Sequence, residues 1–465
     1  MYTSDKPIGF WSAVSMGIGA MVGAGIFALL GEASAISGSA VYISFLIGGI
    51  IALFSGYSLG KLGARYPAAG GIVEYLSQAW GSGFFTGAMS IMLYLAAVVS
   101  LSLIAKAFGN YAFTFLPEGT NPLWHHAFSV GIVLLFVIIN LRGAKDVAIW
   151  ERLTVAIKFA VLTGLAIAGI VYLKPELLSP SLYPPVKDIF FSLSITFFAY
   201  EGFRVITNTA EDMPDPARTL PRAMAAAILL VMLLYVAVAF AVFGNLPTDK
   251  VIASRDYALA EAALPIFGHL GFVVVAVAAL ISTASSINAN LYAVTNVTYQ
   301  LARDGELPAA FGQPIGHSRE GLVISGLLVI LLSLLFDLSQ IASIGSISIL
   351  FVHAITHLGH LRLARETGAS RLLVGIAALL SLVAMGLALI YVGQRSDTVV
   401  QVLVGFVAVA AGMEFLLQTL HGRRVLPRLP RTGLQGRDRA PQTAPVPHQN
   451  PQGEGCNERS ESDHG

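Results

Sequence analysis

The glycines near the start of the chain are the first residues whose spacing suggests chemistry. Residues 17–27 read Gly17-Ile18-Gly19-Ala20-Met21-Val22-Gly23-Ala24-Gly25-Ile26-Phe27. Each glycine weakens a helix by about 1 kcal/mol, so the two around Ala24 can open one. A helix that restarts there begins with N–H groups that lack an intrahelical acceptor, and these suit a carboxylate. The same small residues also suit close helix packing. Further on, Lys158 sits in Ala156-Ile157-Lys158-Phe159-Ala160-Val161, one ammonium in an apolar run. Such a charge at mid-membrane costs about 3 kcal/mol or more unless it is paired, and the alternative is a stem that reaches toward the nearer face. Glu201 and Arg204 stand three apart and share a helical face, where they can pair. His353, His357 and His360 are spaced by four and three. No cysteine or acid lies near them in sequence, so they read as polar packing rather than metal ligands.

The elements that must hold these residues are membrane helices. Of 465 residues, 55% are hydrophobic and 12% charged; a soluble domain carries about twice that charge. The mean hydropathy is +0.72. The apolar residues fall in blocks of roughly 20, the length that crosses a bilayer. Twelve spans are expected, at roughly 8–32, 38–62, 84–108, 125–142, 150–173, 188–209, 222–244, 270–302, 321–336, 340–361, 371–393 and 398–420. Each must satisfy its own backbone hydrogen bonds, so the spans are helices. The first block is long, glycine-rich and only the first of many, which is unlike a signal peptide.

Lysine and arginine set the orientation. Lys61, Arg65, Arg142, Lys145, Arg218 and Arg222 fall on one set of loops, and Arg303, Arg362, Arg365 and Arg371 extend that set. The alternate loops carry few cations. Both termini are therefore expected in the cytoplasm, with residues 1–7 as a short leading segment. Residues 423–465 are rich in Pro, Arg, Gln, Glu and Ser and are expected to be a disordered cytoplasmic tail. The single cysteine, Cys456, excludes an intrachain disulfide framework.

A weak internal symmetry appears in the two interruptions. The first span is broken by glycines, and the sixth is interrupted around Phe198-Ala199-Tyr200-Glu201-Gly202. They lie five spans apart, so the two copies have opposite topology, a pattern that points to a binding site at the midplane.

The sixth span continues through Glu211-Asp212-Met213-Pro214-Asp215-Pro216-Ala217-Arg218 to Pro221-Arg222-Ala223. Arg65-Tyr66-Pro67-Ala68-Ala69-Gly70-Gly71 and Leu301-Ala302-Arg303-Asp304-Gly305-Glu306-Leu307-Pro308 are two further motifs. With the Gly23-Ala24-Gly25-Ile26-Phe27 break they make four motifs in order over residues 8 to about 360. The chain resembles the amino acid–polyamine–organocation (APC) transporters, and among them the sodium-independent, proton-coupled ApcT-like members.

That resemblance implies an all-α integral membrane fold. Ten core helices would form two inverted five-helix repeats, residues 8–173 and 188–361, with the first and sixth helices broken. Two extra helices would follow at 371–420. It implies a substrate carboxylate on the amides of Gly23, Ala24 and Gly25. The substrate ammonium would meet carbonyls near Phe198, Ala199 and Glu201, under the Phe198 ring as a gate. Lys158 would occupy the place of a sodium ion in sodium-coupled relatives and touch the Gly19 and Val22 carbonyls. It would also touch a span-eight hydroxyl, from Ser282, Ser285 or Ser286, with Ser285 preferred. Unlike a sodium ion, an ammonium there can gain and lose a proton. The family often has an acid where Arg204 stands; the arginine fits an internal pair with Glu201 or a bias toward anionic side chains.

The implied activity is secondary active amino-acid transport across the cytoplasmic membrane by alternating access. Coupling would be to protons and not to sodium, with exchange by the same fold as the alternative. The partners are the amino acid, protons and the bilayer. No cofactor is implied. No nucleophile–base pair, metal constellation or nucleotide-binding motif marks an enzyme or an ATP-driven pump, and no basic stripe suits nucleic acid.

Overall fold

The first span divides where its glycines gather. The computed structural model describes residues 8–68, 70–142, 147–303, 307–316 and 318–420. Helix α1 (Phe10–Met21) ends at Val22, and α2 (Ala24–Ser37) starts after Gly23. Gly38, at φ 51°, then turns the chain into α3 (Val41–Arg65). A short helix, α4 (Ile72–Trp80), follows within a stretch expected to be connecting loop. Its Ile72, Val73 and Leu76 fall on one face and bury against the neighbouring helices.

Helices α5 (Phe84–Phe113), α6 (Leu123–Arg142) and α7 (Val147–Val171) complete the first half. Next come α8 (Val186–Phe191) and α9 (Leu193–Tyr200), and α9 passes into a 3-10 segment, Glu201–Asp212. After α10 (Pro216–Phe243) and α11 (Thr248–Ala253) comes α12 (Ala258–Arg303). Gly268, at φ 66°, bends α12 near its start, so the expected span from 270 begins just past the bend. A two-residue antiparallel pair, Pro314–Ile315 with Ser318–Arg319, precedes α13 (Glu320–Leu335). Helices α14 (Leu338–Leu363), α15 (Arg371–Gly393) and α16 (Asp397–Leu420) close the bundle.

Ten stretches among the described residues are long and apolar enough to cross a membrane. Two shorter apolar helices, Phe10–Met21 and Glu320–Leu335, lie where the first and ninth spans are expected. Position in the bundle follows from burial. The apolar window of α5 is 89% buried, whereas those of α6 and α16 are 22% buried. Helix α5 is thus a central post, and α6 and α16 turn apolar side chains outward, as a lipid environment requires. The contact between α3 and α10 is made close by small residues. Gly49, Gly56 and Gly63 meet Met232, Ile228 and Leu220, where added Cβ atoms would collide. The expected leading segment 1–7, the tail 423–465, Ala69, Lys145 and the motif residues Asp304-Gly305-Glu306 lie outside the described residues.

Candidate functional site

A helix that stops inside a membrane leaves carbonyls without water to satisfy them. At the end of α1, side chains from three other helices supply the donors. Lys158 of α7 is 1% exposed and donates from Nζ to the Gly19 carbonyl at 2.5 Å. The Tyr235 hydroxyl of α10 donates to the Met21 carbonyl at 2.7 Å. The Ser282 hydroxyl of α12 donates to the Val22 carbonyl at 2.6 Å. An ammonium at this end also meets the negative pole of α1.

The three serines expected near Lys158 part company around α12. Ser282 takes the Val22 carbonyl, while Ser285 accepts a hydrogen bond from Thr154 of α7 at 3.2 Å. Ser286 presents its buried Oγ to Gly23 and has no hydrogen-bond partner among the described residues. Successive residues on a helix point about 100° apart, so the spacing of the serines alone leaves open which one meets the broken span.

No side chain caps the start of α2. Its first N–H groups have no acceptor within the helix, and Gly23, Ala24 and Gly25 carry three of the N–H groups at this opening. A Cβ at Gly25 would run into the Ala199 carbonyl and the Tyr235 hydroxyl, and one at Gly202 into the backbone of Ala20 and Met21. The two interrupted spans therefore cross backbone to backbone. Tyr235 bridges them, since its hydroxyl also lies 3.4 Å from the Ala199 carbonyl. Nothing in the spacing of α10 signals this tyrosine.

On the other side of the crossing, the Glu201 amide returns to the Phe198 carbonyl as α9 tightens into the 3-10 segment. The Phe198 side chain is buried against Gly345 of α14. Residues three apart eclipse in a 3-10 turn. Accordingly, Arg204 Nε lies 2.7 Å from Glu201 Oε1. The second carboxylate oxygen faces His353 Nε2 of α14 at 3.2 Å. This joins the span-ten histidines to the site, although nothing near them in sequence suggested an acid.

A small cleft lined by Gly19, Ala20, Ser285 and Ser286 lies beside the Lys158 contact. The start of α2 offers N–H groups that suit a carboxylate. The arrangement also keeps a protonatable amine against one broken span and a carboxylate on the other. No acyl- or phosphoryl-transfer constellation accompanies these groups among the described residues.

Two interrupted spans meet inside a bundle of membrane-length helices, an arrangement that suits a membrane transporter. The profile of the amino acid permease family matches residues 8–411. The inner membrane transport protein YbaT of Escherichia coli is 38% identical over 383 residues, covering 81% of this chain and 88% of its own. A Methanocaldococcus jannaschii protein is 37% identical over 376 residues, 80% of this chain and 86% of its own. The serine/threonine exchanger SteT of Bacillus subtilis is 27% identical over 337 residues, 68% of this chain and 73% of its own. The chain belongs to the amino acid permease family, within the APC superfamily.

Proposed function

We propose that this chain carries amino acids across the cytoplasmic membrane by alternating access, driven by protons and independent of sodium. The frame is a twelve-span bundle with both termini in the cytoplasm. Two inverted five-helix repeats place the broken spans at the centre, and two helices follow. The substrate carboxylate binds the amides of Gly23, Ala24 and Gly25. Its ammonium binds carbonyls around Phe198, Ala199 and Glu201, with the Phe198 ring as the gate. The apolar surroundings of both breaks favour small or medium neutral side chains.

The observation that carries the coupling is the Lys158 ammonium, 2.5 Å from the Gly19 carbonyl at the end of α1. A fixed cation there does the work of a bound sodium ion and, unlike sodium, can be discharged. A small cleft lined by Gly19 and Ser285 adjoins this contact. Ser285 faces Thr154 on the helix that carries Lys158, which keeps a hydroxyl pair at the same seam. Release of the ammonium's hold on α1 frees the broken spans to rock against the rest. A proton drives the cycle only if it binds the two states unequally, and a lysine whose partners change between them meets that condition.

The test is uptake by the full chain in proteoliposomes, with a panel of amino acids, with and without a pH gradient and with sodium replaced by choline. Accumulation that follows the pH gradient and ignores sodium supports the reading. Stimulation by sodium at constant pH and osmolarity overturns it. A second reading, obligatory exchange, is favoured by the likeness to SteT, whose name describes a serine/threonine exchanger. Uptake that occurs only with amino acid preloaded inside the vesicles selects that reading.

A further inference from the structure

The histidines of α14 form part of a continuous hydrogen-bonded chain with two serines of α3. Ser55 Oγ lies 2.7 Å from His353 Nδ1 and 2.8 Å from His357 Nε2. Ser58 Oγ lies 2.8 Å from His357 Nδ1 and 2.8 Å from His360 Nδ1. His360 Nε2 lies 2.9 Å from the Thr367 hydroxyl. At the other end, His353 Nε2 lies 3.2 Å from Glu201 Oε2, an ion-pair distance at which neither atom completes a hydrogen bond in this conformation. All three imidazoles are 0% exposed, and the His353 ring is held edge-on between Phe197 and Phe203. Thr367 is half-buried in the loop between α14 and α15, beside exposed Glu366 and Gly368. The chain thus runs from the broken sixth span to a loop at the protein surface.

We propose that Glu201–His353–Ser55–His357–Ser58–His360 is a proton relay that charges and discharges Glu201 from the face bearing Thr367. Donor counting carries the argument. A neutral imidazole has one donor nitrogen and one acceptor nitrogen, and a hydroxyl has one proton to give. With Glu201 ionised, every hydrogen bond between Thr367 and His353 is satisfied with all donors aimed toward the carboxylate. His353 Nε2 carries its proton 3.2 Å from Glu201 Oε2 and needs a rotation to donate to it; Ser55 donates to His353, His357 Nε2–H to Ser55, Ser58 to His357, and His360 Nδ1–H to Ser58. Thr367 donates to His360 Nε2.

A proton taken up at His360 Nε2 moves one proton across each bond in turn. An N–H or O–H bond forms at each acceptor as one breaks at each donor, and a single proton arrives on Glu201 Oε2. The Thr367 hydroxyl turns to the Leu363 and Ala364 carbonyls, 3.2 and 3.3 Å away. The result is a second state with every hydrogen bond between Thr367 and His353 reversed. The two states differ by one proton, the one on Glu201.

The surroundings add few competing charges. Glu201 faces Arg204 in its own segment and His353 from α14. Helix α1 has no titratable residue. Tyr200 and Tyr235 give their hydroxyls to backbone carbonyls. The titratable groups nearest His357 are His353 and His360. Arg362 stacks on Trp80 of α4, and Arg65 of α3 pairs with Glu366. Protonation of Glu201 weakens its hold on Arg204 and so loosens the sixth span at its break. Only this last consequence rests on the transport reading.

The test uses the full chain in lipid vesicles with nitrogen-15-labelled histidine. Solid-state NMR reports the tautomer of each ring across a pH series, with single-histidine variants for assignment. His353, His357 and His360 should switch tautomer together. Glu201→Gln should hold all three in the protonated-state pattern at every pH. Ser58→Ala should uncouple His360 from the other two, and Ser58→Thr, which keeps the hydroxyl, should restore the joint switch. Tautomers that stay fixed in the parent chain, or a joint switch that survives Ser58→Ala, overturn the relay. Amino-acid counterflow in the same vesicles tests transport separately. Its loss in the parent chain refutes the transport reading while the tautomer result still decides the relay.

Discussion

Replacing Lys158 with alanine tests the coupling reading with an outcome whose size follows from the site. The side chain is 1% exposed and donates to the Gly19 carbonyl at 2.5 Å. Losing a charge-assisted hydrogen bond costs about 1.5–3 kcal/mol. Removing a cation from the membrane interior returns about 3 kcal/mol. The two nearly cancel, so Lys158→Ala should fold and reach the bilayer in near-normal amount. Transport should change in kind. With the membrane potential clamped, a tenfold proton gradient supplies about 1.4 kcal/mol per proton and sustains at most about tenfold accumulation of a neutral amino acid. The parent chain should approach that ratio. Lys158→Ala should fall to about 1 while counterflow persists, because the substrate groups at both breaks remain. Lys158→Arg should behave like the alanine variant, since a guanidinium keeps its proton. The assay is labelled amino acid in proteoliposomes, read as the steady-state ratio of inside to outside. If the alanine variant still concentrates substrate under a proton gradient, Lys158 is not the coupling group, and Glu201 with its serine–histidine chain takes its place.

Three further outcomes follow from the two breaks. Gly25→Val puts side-chain carbon where the Ala199 carbonyl and Tyr235 hydroxyl stand. Overpacking of this kind costs about 1–3 kcal/mol, and a competition binding assay should read it as roughly 5- to 150-fold weaker amino-acid binding. Decarboxylated amine analogues should fail to compete in the parent chain, and equal competition by an amine would remove the carboxylate role from Gly23, Ala24 and Gly25. Tyr235→Phe leaves the Met21 carbonyl without its 2.7 Å donor, at a cost of about 1–3 kcal/mol, so thermal unfolding in detergent should begin at a lower temperature with substrate binding weakened as well.

Much of this protein could be read along the chain because a membrane helix satisfies its backbone within itself. Runs of apolar residues therefore announce spans, and glycines announce where a span can open. The break at Val22–Gly23 and the change of helix type at Glu201 fall where the residue types allow them. The pairing of Glu201 with Arg204 was also legible, because both partners lie in one short segment. Helix α4 was not, since its nine residues carry too little apolar sequence to stand out from a loop.

The contacts between distant spans lie beyond what spacing can decide. The sequence supplies three serines on α12, but only the rotation of that helix against its neighbours puts Ser282 on the Val22 carbonyl, Ser285 on Thr154 and Ser286 against Gly23. Tyr235 bridges the two breaks from 214 residues beyond Met21. Ser55 meets His353 across 298 residues and turns an isolated row of histidines into a connected path. Local periodicity fixes which face of a helix is apolar. Which polar atoms on that helix find partners depends on how far it turns and slides against the others, and tertiary packing sets both.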